Sequence, residues 1–215
     1  MRRHSITLLI GLVLCSTPAA SAQRTVTGQT LSSLREPAIN ITATAPFHYV
    51  GTQSFILYGI ADAEQHFFVE SEGGHIKRLI WIQFESMRAN STGKYGYETS
   101  PLIRGWGRDL RVDAYATITA AADSEPRPES DGARMRSFLR AKGLTFSRDV
   151  LMQRLVWVPD ADKRREVMVI YTEDLTLPGI ISADLRDGGR KRDQWPAIAA
   201  ALQTRALQAL SITDR

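Results

Sequence analysis

The stretch SFILYGIADAEQHFFVESEGGHIKRLIWIQFESM, residues 54–87, decides the fold because it carries the clearest strand pattern in the chain. Within it, Ser54–Ala61 and Gln65–Ser71 are dense in aromatic and β-branched residues, which favour strands. Residues 62–64 lie between these two segments, at the spacing of a hairpin turn. We therefore predict two antiparallel strands joined by a short turn.

A third predicted strand, His75–Met87, returns after a turn at residues 72–74, because Gly73 and Gly74 accept the positive φ that tight hairpin turns require. Alternation along this strand predicts that its apolar side chains divide between two faces. We expect Ile76, Ile80, Ile82 and Phe84 on one face, and Leu79 and Trp81 on the other. A sheet that is apolar on both faces has to be covered on both, so helices or loops are expected over each side.

Working outward, the sequence predicts two helices and four more strands. A mid-chain helix is expected from Ser130 or Asp131, either of which can cap it, to Gly143, and a longer one over Gln194–Ile212. The predicted fold class is α+β: a mainly antiparallel sheet of about five to seven strands, packed with the mid-chain helix and the long C-terminal helix. The further strands are expected at Ile39–Ala45, Asp109–Thr119, Arg148–Val158 and Arg164–Leu175.

The N-terminal residues 1–22 have the pattern of a secretory signal peptide. A basic start at Arg2 and Arg3 precedes the apolar run Ile6–Leu14, and small residues at 20–22 suit a cleavage site. The apolar run is too short to cross a ~30 Å hydrocarbon core. We therefore expect an exported protein, periplasmic or secreted, with no integral membrane span after cleavage. The sequence leaves open whether export follows the general secretion or the twin-arginine route.

The residues after the leader are expected to form one domain. Gln23–Pro37 is polar and rich in Ser and Thr, so a flexible arm is predicted there, followed by a single α+β domain over residues 38–215. The sole cysteine, Cys15, belongs to the leader, so the mature domain would have no disulfide, thiol nucleophile or cysteine-based metal site. A chain of this length can bury a sufficient core without such links.

Charge argues against nucleic acid as a partner. The chain has 27 Lys and Arg against 23 Asp and Glu, and the leader holds two of the arginines and no acidic residue. The mature chain would therefore carry a net charge of only +2. A protein that follows a phosphate backbone needs a clustered positive excess. No nucleic-acid partner is predicted.

The segment 88–108 interrupts the strand pattern, and its part from Lys94 to Arg108 is the best candidate for a binding site. A loop of this length is uncommon in a compact domain and often contacts a ligand. Aromatic side chains lie there near cations among glycines, a combination suited to an anionic, aromatic or sugar ligand. The alternative is an ordinary loop whose aromatic rings pack onto the sheet. The candidate ligand-binding residues are Lys94, Tyr95, Tyr97, Arg104, Trp106 and Arg108.

Catalytic and metal-binding patterns are weak. The Gly-x-Ser-x-Gly elbow of many serine hydrolases does not occur, although a triad can be assembled from distant residues. Three histidines follow the leader: His48, His66 and His75. The expected hairpin register places His66 opposite Leu79 and His75 opposite Glu70, so the histidines are not expected to share a metal. No catalytic residue, metal or cofactor is predicted.

These observations lead to a ranked set of functions. The leading hypothesis is an exported, non-enzymatic binding or accessory protein of a bacterial-type cell envelope, whose partner is a small molecule or an envelope protein. One alternative is an exported hydrolase with a dispersed active site. Another is a structural partner of an envelope complex, which would require a broad exposed apolar patch.

Overall fold

The computed structural model describes residues 23–34, 36–118 and 127–215, so the predicted leader lies outside it. Within this part the chain forms twelve strands and three α-helices. The helices are α1 (Asp131–Ala141), α2 (Ser182–Leu185) and α3 (Trp195–Gln208). The strands are β1 (Arg24–Thr27), β2 (Thr30–Ser33), β3 (Ile39–Ala43), β4 (His48–Leu57), β5 (Ala61–Glu72), β6 (His75–Met87), β7 (Leu102–Gly105), β8 (Arg108–Ile118), β9 (Thr145–Phe146), β10 (Asp149–Trp157), β11 (Arg165–Asp174) and β12 (Leu210–Asp214).

These strands form two sheets. The smaller sheet has the order β1-β2-β3-β12, and the larger one has the order β4-β5-β6-β11-β10-β8-β7. Neighbouring strands along both orders are antiparallel. The two-residue strand β9 adds to β6 in the parallel direction. The predicted meander therefore becomes β4, β5 and β6, on one side of the larger sheet.

The predicted α+β class with a long C-terminal helix is wrong. Strands account for 48% of the structure and helices for 17%. The last helix ends at Gln208, and the chain continues as β12, in which Leu210 and Ile212 are buried and Ser211 is exposed. These residues pair with β3, where Ile212 lies opposite Ile41. The partner strand is far away in the sequence, so local helical periodicity could not reveal this pairing.

Two local expectations also change. Residues 23–37, expected to be a flexible arm, contribute β1 and β2 to the smaller sheet. The first hairpin turn lies at residues 58–60 instead of 62–64, because Ala61 pairs with Leu57 and both are buried. The second turn lies where the sequence predicts it, with positive φ at Gly73 and Gly74.

The larger sheet is covered on both faces, as its composition requires. One face packs against the smaller sheet and α3 through residues such as Ile41, Ile82 and Leu202. The other packs against α1, where Leu139 is fully buried beside Trp81. A register irregularity near the second turn moves Ile76 to the face of Leu79 and Trp81, so its predicted face is wrong. One sheet thus separates two apolar layers.

The mid-chain helix lies where the sequence predicts it. Ser130 caps α1, because its side-chain oxygen accepts a hydrogen bond of 3.2 Å from the backbone N–H of Ala133. Gly143, with φ of +75°, follows the end of the helix. Phe138 lies against Phe67 of β5, with ring centroids 5.1 Å apart. The cap and these contacts fix α1 over the second face of the larger sheet.

Candidate functional site

A cleft of about 730 Å³ opens between α3 and the larger sheet, and we call it the α3 cleft. Its volume lies in the range of small-molecule sites in proteins. It is larger than the cavity of about 530 Å³ beside the 94–108 segment. The α3 cleft is lined by Glu70, Lys77, Arg78, Leu151, Glu173, Asp174, Thr176, Leu177, Ala197, Ile198, Ala201 and Arg205.

Small side chains on α3 leave the space for this cleft. Ala197 and Ala201 are four residues apart, so they lie on the same side of the helix, and both line the cleft. Arg205 continues the same row one turn later. On the sheet side, Leu151 is almost fully buried and forms an apolar surface. The helix therefore stands above the sheet without filling the gap.

The charged groups around the α3 cleft largely neutralise one another. Arg205 forms a bidentate pair with Glu173, with Nε–Oε2 and Nη2–Oε1 distances of 3.0 and 2.5 Å. Arg78 donates from Nε to Glu70, and this bond raises the pKa of the arginine. Such pairs are geometrically specific and leave little free charge for a ligand. Three acidic and three basic residues line the cleft, so its lining has no net charge.

A serine, a histidine and a carboxylate meet at the margin of the cleft. The pairing of β9 with β6 brings Ser147 beside His75, with 3.1 Å between Oγ and Nε2. Asp174, whose side chain is 8% exposed, lies 2.8 Å from the same Nε2 atom. A catalytic triad uses both ring nitrogens, one toward the carboxylate and one toward the hydroxyl. Here both partners contact one nitrogen, so His75 is not arranged to take a proton from Ser147.

The structure brings together four of the six residues predicted as a ligand site. Tyr95, Tyr97, Arg104 and Arg108 line the 530 Å³ cavity, which we call the arginine cavity. Lys94 is exposed and is not part of its lining.

Trp106, the sixth predicted site residue, is turned away from this cavity. Its indole Nε1 donates to the carbonyl oxygens of Leu207 and Leu210, both at 3.1 Å, and its ring packs against the core of the first face. Its role in the fold is therefore to join the β7–β8 turn to the C-terminal end of α3.

Two buried carboxyl groups lie beneath the tyrosines of the arginine cavity. Glu85 on β6 and Glu166 on β11 are directly opposite each other and are 7% and 3% exposed. Tyr95 donates its hydroxyl to Glu85 at 3.0 Å, and Tyr97 donates to Glu166 at 2.5 Å. Burial and the neighbouring Glu85 raise the pKa of Glu166 to about 8, and burial raises the pKa of Glu85. Glu166 is therefore mostly protonated at neutral pH.

A ladder of glutamines extends this polar layer across three strands. Gln53, Gln65 and Gln83 face one another in register, and their amides are linked by hydrogen bonds of 2.7 and 2.6 Å. Gln83 also donates to Glu85 and accepts from Trp81 at 3.0 Å. Buried polar groups are tolerated when they are connected in this way. The ladder thus joins the carboxyl pair to the edge strand β4.

Sequence reasoning missed the α3 cleft and the carboxyl pair. Alternation along β6 places Gln83 and Glu85 on the same face as Trp81. Two polar residues on one face of a largely apolar strand were the sequence signal for a buried polar site. No local pattern indicates that β11 supplies Glu166 opposite Glu85. The predicted histidine register was also wrong, because His66 lies opposite Ile82 and His75 opposite Glu72.

The described residues contain no cluster of three or more His, Cys, Asp or Glu side chains arranged to hold a metal ion. Among the same residues, no helix is long and apolar enough to cross a membrane. Comparison of the chain with protein-family models, curated proteins and solved structures gave no match.

Proposed function

We propose that this chain is an exported, non-enzymatic binding protein of a bacterial-type cell envelope, and that its ligand occupies the α3 cleft. The α3 cleft carries this proposal: it combines a ligand-sized volume of about 730 Å³ with an apolar surface and a rim of paired charges. The leader pattern at residues 1–22 supports export.

The lining of the cleft suggests the chemistry of the ligand. Leu151, Leu177 and Ile198 offer apolar contact, and Leu177 is 38% exposed. The arginine–glutamate pairs at the rim could form hydrogen bonds with polar atoms of a ligand. Because these side chains neutralise each other, the ligand does not need to be charged. An uncharged amphipathic molecule, with an apolar body and a few polar atoms, fits this lining best.

Binding can be measured with N-phenyl-1-naphthylamine, an uncharged probe whose fluorescence rises in apolar surroundings. We expect the purified mature protein to bind this probe with saturation, and to do so equally well at low and high salt. Ala201→Trp places a large ring in the cleft and is expected to weaken binding at least about tenfold, which corresponds to about 1.4 kcal/mol.

The matched control is Ala200→Trp, because Ala200 is exposed on another side of the same helix, beside Ala199 and Gln203. This variant should bind the probe like the unmodified protein. Thermal unfolding followed by circular dichroism establishes that both variants are folded. Equal binding by folded Ala201→Trp and by the unmodified protein would show that the ligand does not occupy the α3 cleft.

An exported hydrolase is the second candidate, favoured by the proximity of Ser147, His75 and Asp174 at the margin of the cleft. The shared Nε2 atom argues against it, as described above. Hydrolysis of p-nitrophenyl butyrate by the unmodified protein, compared with Ser147→Ala and His75→Gln, decides between the two. If the unmodified protein hydrolyses the ester faster than buffer alone, and both variants lose this activity, the protein is a hydrolase and the binding proposal is wrong.

A structural partner of an envelope complex is the third candidate. Ile56, Tyr58 and Ile60, at the turn between β4 and β5, are 45–48% exposed and form a small apolar tip. Three side chains make a smaller patch than most stable interfaces bury. Recovery of a stoichiometric complex that Ile56→Ser and Ile60→Ser abolish would favour this function over binding in the cleft.

A further inference from the structure

The arginine cavity differs from the α3 cleft in the balance of charge around it. Arg104, Arg108, Arg111 and Lys163 line it, against only Glu98 and Asp109 among acidic residues. Its lining therefore carries two more positive than negative groups, whereas the lining of the α3 cleft is balanced. Positive charge concentrated in a concave surface attracts anions.

Arg104 and Lys163 form ion pairs with Asp109 and Glu98, so the donors available in this cavity belong to Arg108 and Arg111. Arg111 donates from Nη1 to the backbone carbonyl of Ser100 at 3.0 Å. This partner is uncharged, so the contact does not neutralise the positive charge of Arg111. Arg108 donates from Nη2 to Asp214 at 2.6 Å, while its Nη1 is buried and has no hydrogen-bond partner. The side chain of Arg108 is only 10% exposed. A buried unpaired donor is costly, so a shift of the Arg108 side chain that brings Nη1 to an acceptor on a ligand would be stabilising.

Aromatic rings complete the lining. The guanidinium carbon of Arg108 lies 4.5 Å from the centroid of the Trp157 ring. The hydroxyls of Tyr95 and Tyr97 are held by the buried carboxyl pair, so what these tyrosines offer to the cavity is ring surface. Flat apolar surfaces and cations therefore surround the same space of about 530 Å³.

We propose that the arginine cavity is a second ligand site, separate from the α3 cleft, which binds a small organic anion with a planar ring. The anionic group, a carboxylate or a phosphate, contacts Arg108 and Arg111. The ring lies among Tyr95, Tyr97 and Trp157. The site gives the protein two ligand classes, one uncharged and one anionic.

Isothermal titration with 2-naphthoate tests the site, with 2-acetylnaphthalene as the uncharged analogue and inorganic phosphate as the anion without a ring. We expect 2-naphthoate to bind more tightly than either, and its affinity to fall as salt is raised. Arg111→Ala should weaken 2-naphthoate binding about tenfold, because a hydrogen bond to a charged group is lost. Arg104→Ala, a change at an exposed residue, should weaken it by a smaller factor.

Two control variants make the outcome specific. Lys94→Ala removes an exposed cation of the same segment that does not line the cavity, and should leave the affinity unchanged. Ala201→Trp should leave 2-naphthoate binding unchanged even if it abolishes binding of the uncharged probe. The proposal is overturned if both arginine variants bind 2-naphthoate normally, if Ala201→Trp abolishes its binding, or if phosphate alone binds as tightly.

Discussion

Replacing Glu166 by glutamine tests whether the buried carboxyl pair makes stability depend on pH. In the folded protein Glu166 faces Glu85 across the strands, Tyr97 from the loop, Arg154 from β10 and Asp131 from α1. Burial dominates among these influences and raises the pKa of Glu166 from the ordinary 4.5 to about 8. Between these two pH values the side chain is protonated when folded and ionised when unfolded.

The sign of the effect follows from proton binding. Because the folded state holds the extra proton, the free energy of unfolding falls as pH rises from 4.5 to 8, and the penalty is complete above pH 8. The two pKa values differ by roughly 3.5 units, and each unit corresponds to about 1.4 kcal/mol, so ionisation of Glu166 lowers the free energy of unfolding by at most about 5 kcal/mol. Glutamine removes this penalty but brings an extra buried N–H donor, which costs about 2 kcal/mol.

We therefore expect Glu166→Gln to raise the free energy of unfolding by about 3 kcal/mol at pH 9 and to lower it by about 2 kcal/mol at pH 5. Urea unfolding followed by tryptophan fluorescence across this pH range gives both values. Glu98→Gln is the control, because Glu98 is exposed and its pKa is lowered by hydrogen bonds from its own backbone N–H and from Lys163. Parallel pH profiles for Glu166→Gln and the unmodified protein would refute the reasoning.

Substitutions at three further positions test local features of the fold by urea unfolding at neutral pH. Trp106→Phe keeps an aromatic ring but removes the indole N–H that donates to two carbonyl oxygens, so we expect the free energy of unfolding to fall by about 1–2 kcal/mol. The affinity for 2-naphthoate should not change. A change in affinity without a loss of stability would show that Trp106 contacts the ligand. Ser130→Ala removes the cap of α1 and should cost about 1 kcal/mol, whereas Ser130→Asp should retain stability. Gly132→Ala should raise the free energy of unfolding by about 0.5–1 kcal/mol, because alanine favours the helix more than glycine does. The added methyl group has room, since the nearest side-chain atom from a non-adjacent residue is 3.5 Å away, on the flexible side chain of Arg136. A lower free energy of unfolding would contradict this.

The arginine cavity was partly predictable because four of its lining residues lie within one short segment. Tyr95, Tyr97, Arg104 and Arg108 are close in sequence, so a composition pattern could group them. Arg111 belongs to the same β7–β8 hairpin but lies three residues beyond the glycine-rich segment that ends at Arg108. Trp157 and Lys163 come from the end of β10 and the turn after it, and only the folded sheet brings them to this cavity.

Local sequence determined those elements whose signals lie within one segment. The Gly73–Gly74 turn, the cap of α1 at Ser130 and the strands β10 and β11 depend on φ preferences, side-chain capping and alternation between neighbouring residues, and these were read directly from the chain. The same patterns suggested one sheet and two helices, because period-two and period-3.6 signals say nothing about which strand pairs with which.

Tertiary structure alone decided the division into two sheets, the change from α3 to β12, and the two cavities. β12 exists because it pairs with β3, more than half the chain away, and Glu85 and Glu166 become a carboxyl pair because β6 and β11 are neighbours in the larger sheet. Such contacts are stabilised by burial and hydrogen bonds between distant segments. Their energy belongs to the assembled fold and not to any one stretch of sequence.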